Sequence, residues 1–149
     1  MKIAIGSDHR GYELRQTLVV FLQSEGYEIE EFGSVDQEIV DYPDVAVSVV
    51  KKVLQGAADR GILICGIGIG MCVVANKFPG IRAAACSNDI IAEFSRLHND
   101  ANILCLSGDM LGERTGISLV KKWLETKFEG GRHQARIDKI RELEKRMRG

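Results

Sequence analysis

The stretch ADRGILICGIGIGMCVVANKFPGIRAAAC, residues 58–86, decides the fold. Gly61 to Cys65 is a short apolar run of the kind buried in a parallel sheet. It ends in a cysteine, passes three alternating glycines (Gly66, Gly68 and Gly70), turns helical and then reaches a second run, IRAAAC. Such a corner is either a tight packing turn or an anion cradle with a thiol beside it.

Outward from it the same alternation repeats. KIAIGS, YELRQTLVVFLQSEG, EIEEFG and DVAVSVVKKVLQG precede the corner, and the helix around DIIAEFSRLH, the run NILCLS and the helix ERTGISLVKKWLETKF follow it. Five strands alternating with helices predict a three-layer α/β/α, Rossmann-like single domain over residues 1–149, built on a five-stranded parallel sheet. Gly26 and Gly56 stand where the first two helices should be capped. Strand order is not legible in these signals.

The character changes at residues 130–149. Ile137, Ile140, Leu143 and Met147 recur at helical spacing among charges, and residues 132–149 carry seven Lys or Arg against three Asp or Glu. This C-terminal amphipathic helix either folds back on its own domain or lies on a second subunit.

Composition excludes whole classes of function. Twenty basic against twenty-one acidic residues give a net charge of -1, which argues against a nucleic-acid or membrane-surface role. The N-terminus reaches Gly6, Ser7 and Asp8 too early for the apolar core of a signal peptide, and no apolar run is long enough to span a bilayer, so a cytoplasmic location is expected. Cys65, Cys72, Cys86 and Cys105 form no C-x-x-C pair, so free thiols are expected, with neither disulfide nor zinc site.

In parallel α/β sheets, ligands bind beyond the carboxyl ends of the strands. Those ends hold Ser7, Asp8 and His9; Cys65 and the glycines; Ser87 and Asn88; Ser107 and Asp109. The G-x-G-x-G spacing is not the dinucleotide fingerprint, and Met71 and Cys72 stand where a P-loop needs Lys and Ser or Thr. Cys65 alone reads as a small core residue; at a strand end beside backbone donors it gains a second reading, as a base or nucleophile. Asp8 either caps the next helix or faces a ligand. His98, beside Asn99 at a helix end, is either a dipole-stabilised surface group or a catalyst. Arg132 and Arg136, four apart with His133 adjacent, form either a solvated face or a phosphate clamp.

Five blocks in register, GSDHRGYELR, DYPD, CGIGIGMCVVANKFPGIRAA, HNDANILCLSG and GGRHQARIDKI, resemble the ribose/galactose isomerase family on its ribose 5-phosphate side. The resemblance implies an aldose–ketose isomerase without metal or other cofactor that interconverts ribose 5-phosphate and ribulose 5-phosphate through an enediolate, a step of the pentose phosphate pathway. It implies a homodimer, sometimes paired into a tetramer, with shared active sites. Residue by residue, it implies that Cys65 moves the proton between C1 and C2, that His98 opens the furanose ring, and that Asp8, Tyr42 and Asn99 meet sugar oxygens. The backbone of Gly66, Ile67, Gly68, Ile69 and Gly70 would hold the enediolate, and His9 with the partner's Arg132 and Arg136 would hold the phosphate. Physical reasoning agrees. A proton next to a carbonyl leaves only if the oxyanion is stabilised, and one well-placed donor is worth roughly 3 kcal/mol. On this reading the tail's apolar stripe belongs on a neighbour, which favours the dimer.

Two positions depart from the family. Ile67 stands where it commonly has threonine or serine, and Asp109 where it commonly has a phosphate-binding arginine. A lost hydroxyl contact costs roughly 1 kcal/mol and a lost charge-assisted one roughly 1.5 to 3. Arg10 is the candidate to neutralise Asp109 or to replace the missing cation. Allose 6-phosphate or galactose 6-phosphate as substrate, or a weakened sugar-phosphate-binding protein, are the alternatives these departures open.

Overall fold

β1 (Lys2–Ser7), β3 (Arg60–Cys65) and β5 (Ile103–Ser107) are the apolar runs of the sequence, and they form the centre of the sheet because both of their faces are covered. The computed structural model describes residues 1–148. β2 (Glu28–Gly33) and β4 (Ala83–Ala85) are the edges, giving the order β2-β1-β3-β5-β4 with every pair parallel. β2 is half-exposed and acidic, as an edge can be; β4 shrinks to three residues of the longer run IRAAAC.

Helices cover both faces. Leu14, Leu18, Val19 and Leu22 of α1 (Tyr12–Ser24) pack with Leu119, Val120 and Trp123 of α5 (Glu113–Glu125) and with Ala92 of α4 (Asp89–Leu97) against Ile3, Ile5, Ile62, Ile64, Leu104 and Leu106. On the other face, α2 (Tyr42–Leu54) and α3 (Ile69–Ala75) cover Ala4, Leu63, Cys65, Ile103 and Cys105. The alternating faces of three strands therefore feed two separate cores. Gly26 and Gly56, at φ 90° and 72°, follow α1 and α2 in the left-handed conformation that ends a helix.

α6 (Arg132–Met147) starts at Arg132, so Arg132 and Arg136 do share its first turns. It docks only partly on its own domain. His133 and Ile137 are buried and the Glu144 carboxylate accepts from the Gly80 N–H at 3.1 Å, but Ile140, Leu143 and Met147 are exposed. α3 and α4 also expose Ile69, Val73, Ile90, Ile91 and Phe94.

Candidate active site

The chain leaves β1 to one side for β2 and returns on the other for β3, which makes the β1–β3 boundary a topological switch point. The loop after β1 is drawn onto β3 by a bond from the Asp8 N–H to the Ile64 carbonyl at 3.2 Å. The Asp8 carboxylate is buried and one oxygen accepts from the Arg10 and Gly11 N–H groups at 3.0 and 3.1 Å, which ties the loop ahead of α1; the N-cap itself is Gly11, with no side-chain bond, so Asp8 does not cap the helix. Ser7 does not cap: its buried hydroxyl accepts from the Arg15 guanidinium at 2.9 Å. His9 Nδ1 is buried without a hydrogen-bond partner.

Cys65 ends β3 at 4% exposure, on the face beneath α2 and α3. Its carbonyl accepts from the Gly108 N–H at 2.8 Å, and Gly66's accepts from Asp109 N–H at 3.1 Å and from the Ser107 hydroxyl at 2.7 Å. The three glycines each answer a steric demand. A Cβ on Gly66 would meet the Arg10 guanidinium at 3.1 Å, one on Gly68 the Leu106 carbonyl carbon at 2.9 Å, and one on Gly70 the Tyr42 ring at 2.7 Å. Gly68 also stands at φ 80°. The corner is thus tightly packed, and the packing brings Tyr42 and Arg10 against it without excluding an anion from its N–H groups. Arg10 forms an ion pair with Asp109 across the ends of β1 and β5. Exposed Ile67 and Ile69 line a cavity of about 190 Å³ with Ser87, Ser107 and Met110.

A second group of expected site residues lies at the opposite edge. α4 leaves the carboxyl end of β4 and delivers His98, its C-cap, near the start of β5. Register pairs Cys65 with Ser107 and Gly61 with Ile103, so the length of β5 separates the two edges, more than about 10 Å at 3.3 Å per residue. His98 stacks on His133 with ring centroids 4.1 Å apart, and Glu129 Oε2 lies 3.8 Å from His98 Nε2 and 3.7 Å from His133 Nε2. The loop is pinned by a bond from the Glu129 N–H to the Leu97 carbonyl at 3.1 Å. Asn99 sits beside His98, its carbonyl accepting from Arg82 Nε at 3.0 Å. Burial lowers the His133 pKa, with His98, Arg132 and Arg136 adding to the effect and Glu129 opposing it.

One chain therefore gathers Asp8, His9, Tyr42, Cys65 and Gly66–Gly70 at the carboxyl edge, and His98, Asn99, Arg132 and Arg136 at the amino edge. It does not bring the two groups together. Sequence reasoning missed Glu129, the stacked role of His133, and Arg15. Arg15 shares the 15, 18, 19, 22 spacing of an apolar stripe, and a charge on such a stripe is the signal that could have found it. All four cysteines are free thiols, and Cys86 and Cys105 are buried in the core. Cys72 is only half-buried, and a hydrogen bond from Cys105, helped by Ala85 and Asn76, brings its pKa down to about 7 against the opposing effect of burial. Burial pushes the Cys86 thiol up to about 11.

The family model described as Ribose/Galactose Isomerase matches residues 3–140. A ribose-5-P isomerase B of Listeria innocua is 45% identical over 148 residues, 99% of this chain and 100% of its own. The ribose-5-phosphate isomerase B of Escherichia coli is 43% identical over 97% of both chains. Among solved structures, the ribose-5-phosphate isomerase B of Clostridium thermocellum superposes with a TM-score of 0.96 at 50% identity, covering 99% of each chain. That of Thermotoga maritima gives a TM-score of 0.92 at 47% identity, over 95% of this chain and 97% of its own. Among the described residues, no helix is long and apolar enough to cross a membrane.

Proposed function

The chain belongs to the ribose/galactose isomerase family, and from that premise we propose that it interconverts ribose 5-phosphate and ribulose 5-phosphate in the cytoplasm, with Cys65 as the proton-transfer base. The observation that carries this is the position of Cys65, at the switch point of the sheet between the Asp8–His9 loop and the glycine corner. The Cys65 sulfur takes the proton from C2 of the open aldose. The C–H electron pair forms the C1=C2 bond and the carbonyl oxygen becomes the enediolate oxyanion; the hydroxyl proton then passes from O2 to O1, the C2–O bond becomes the ketone, and the C1=C2 pair takes the first proton back from sulfur at C1. N–H groups of Gly66 to Gly70 stabilise the oxyanion, where each donor is worth roughly 3 kcal/mol. Asp8 keeps a carboxylate oxygen for the sugar, with Tyr42 near it.

The ring-opening and phosphate-binding groups come from a second copy. His98, Asn99, Arg132 and Arg136 lie at the wrong edge to reach Cys65 of their own chain, so a homodimer sets the amino edge of one subunit against the carboxyl edge of the other. The exposed apolar residues that α3, α4 and α6 each leave uncovered support such an interface. The partner's His98 then opens the furanose ring by proton transfer, while His9 and the partner's Arg132 and Arg136 hold the phosphate.

The departures at Ile67 and Asp109 leave a six-carbon sugar phosphate as the second reading, since Ile67 puts an apolar wall where the family commonly has a hydroxyl. The Arg10–Asp109 pair removes the repulsion that a bare carboxylate would place beside phosphate. The test is turnover of ribose, allose and galactose phosphates side by side, in wild type and Cys65→Ala. Ribose 5-phosphate turnover that falls at least about a hundredfold in the folded variant is expected; turnover retained in Cys65→Ala contradicts the assignment.

A further inference from the structure

We propose that His98, Glu129 and His133 form a binding site for a divalent transition ion of the zinc class. Imidazole and carboxylate donors together suit such an ion, and two histidines with one glutamate leave the fourth tetrahedral position open. Each of the three residues offers one ligand atom, and no two of those atoms are further apart than 4.8 Å. Bonds of about 2.0 to 2.2 Å to a tetrahedral ion set its ligand atoms about 3.4 Å apart. The Glu129 oxygen is already 3.7 and 3.8 Å from the two ring nitrogens.

The independent observation is His133 Nε2. His133 is 3% exposed, and this nitrogen is buried without a hydrogen-bond partner while aimed at Glu129. A polar atom left so is costly unless something meets it. The scaffold is built as well: Glu129 is held through its N–H by Leu97, and the His133 N–H donates to Gly130 at 3.0 Å, where Gly130 and Gly131 at φ 71° and 54° carry the chain from Glu129 into α6. The rings now stack within 13° of parallel, so binding requires them to splay. His98 is the ring free to turn, since its side chain is a third exposed. Arg132 and Arg136 lie close enough to act on His133 and weaken any cation here.

The consequence for catalysis rests on the function proposed above: an ion on His98 occupies the group that opens the sugar ring, so zinc should inhibit. The test is titration of the full-length protein with zinc by calorimetry and with cobalt by visible absorption, in wild type and Glu129→Gln. One ion per chain is expected, with the bands of tetrahedral cobalt and an affinity at least about tenfold weaker in the variant. No binding, equal binding by Glu129→Gln, or a sulfur-to-cobalt charge-transfer band pointing to Cys72 would overturn the site. One ion bound at this site with undiminished ribose 5-phosphate turnover would leave the site standing and refute the role of His98 instead.

Discussion

At the carboxyl edge of the sheet the groups assigned to chemistry are held by backbone: Asp8 by two N–H groups, Cys65 by its place in β3, Tyr42 by the absence of a side chain on Gly70. At the amino edge they are held by one another, through the stacked His98 and His133, the shared Glu129 and a helix that begins at Arg132. The first edge is rigid because it is the core's own rim. The second stands on the ends of two helices, with a helix beyond it whose apolar stripe is half uncovered. On the function proposed above, each edge is half a site, and the half held by helix ends is the one a partner would complete.

Removing the proposed catalytic group at either edge should have the largest effect. His98→Asn should lower kcat/KM for ribose 5-phosphate by about a hundredfold or more while the melting temperature stays near wild type. A loss confined to closed-ring substrate, with the open-chain aldehyde still turned over, would assign His98 to ring opening in particular. Gly68→Ala tests the rigid edge. A Cβ there meets the Leu106 carbonyl in a left-handed backbone, so roughly 1 to 3 kcal/mol of stability should be lost in a denaturant melt. An unchanged melt would show that the corner is looser than its packing indicates.

Arg10→Ala should raise KM by about tenfold and leave kcat nearly intact, because without its partner the Asp109 carboxylate is left bare beside the phosphate site proposed above. Unchanged phosphate affinity would reduce the Arg10–Asp109 pair to an exposed surface contact. The smallest effect is chemical. Cys72 should be alkylated with half-maximal rate near pH 7, the thiolate fraction rising with pH, whereas Cys86, pushed up to about 11, should stay unreactive across that range. Equal labelling of both would show that the hydrogen bond from Cys105 does not control Cys72.

The carboxyl edge was the more legible of the two in the sequence, because in a parallel sheet every strand end is a candidate site and the glycines mark a close approach. Strand order was not legible: β5 slips between β3 and β4, a choice made by how two cores fill and not by any local run. The Arg10–Asp109 pair joins residues 99 apart and needs β1, β3 and β5 side by side before it can form. His98 could have been placed at the amino edge from the sequence, since a helix between parallel strands must end where the next strand starts. Glu129 could not, because a single acid ahead of two glycines carries no pattern until the loop folds His133 under His98.

If each site is assembled from the carboxyl edge of one chain and the amino edge of another, two inactive variants should restore activity when mixed. Cys65→Ala and His98→Asn, each inactive alone, are unfolded together in equal amounts and refolded. In a twofold dimer half of the assemblies pair one variant with the other, and each of these holds one site with both groups intact, so about a quarter of wild-type activity should return. A mixture as inactive as its parents would contradict the account and return both residues to a single chain's site.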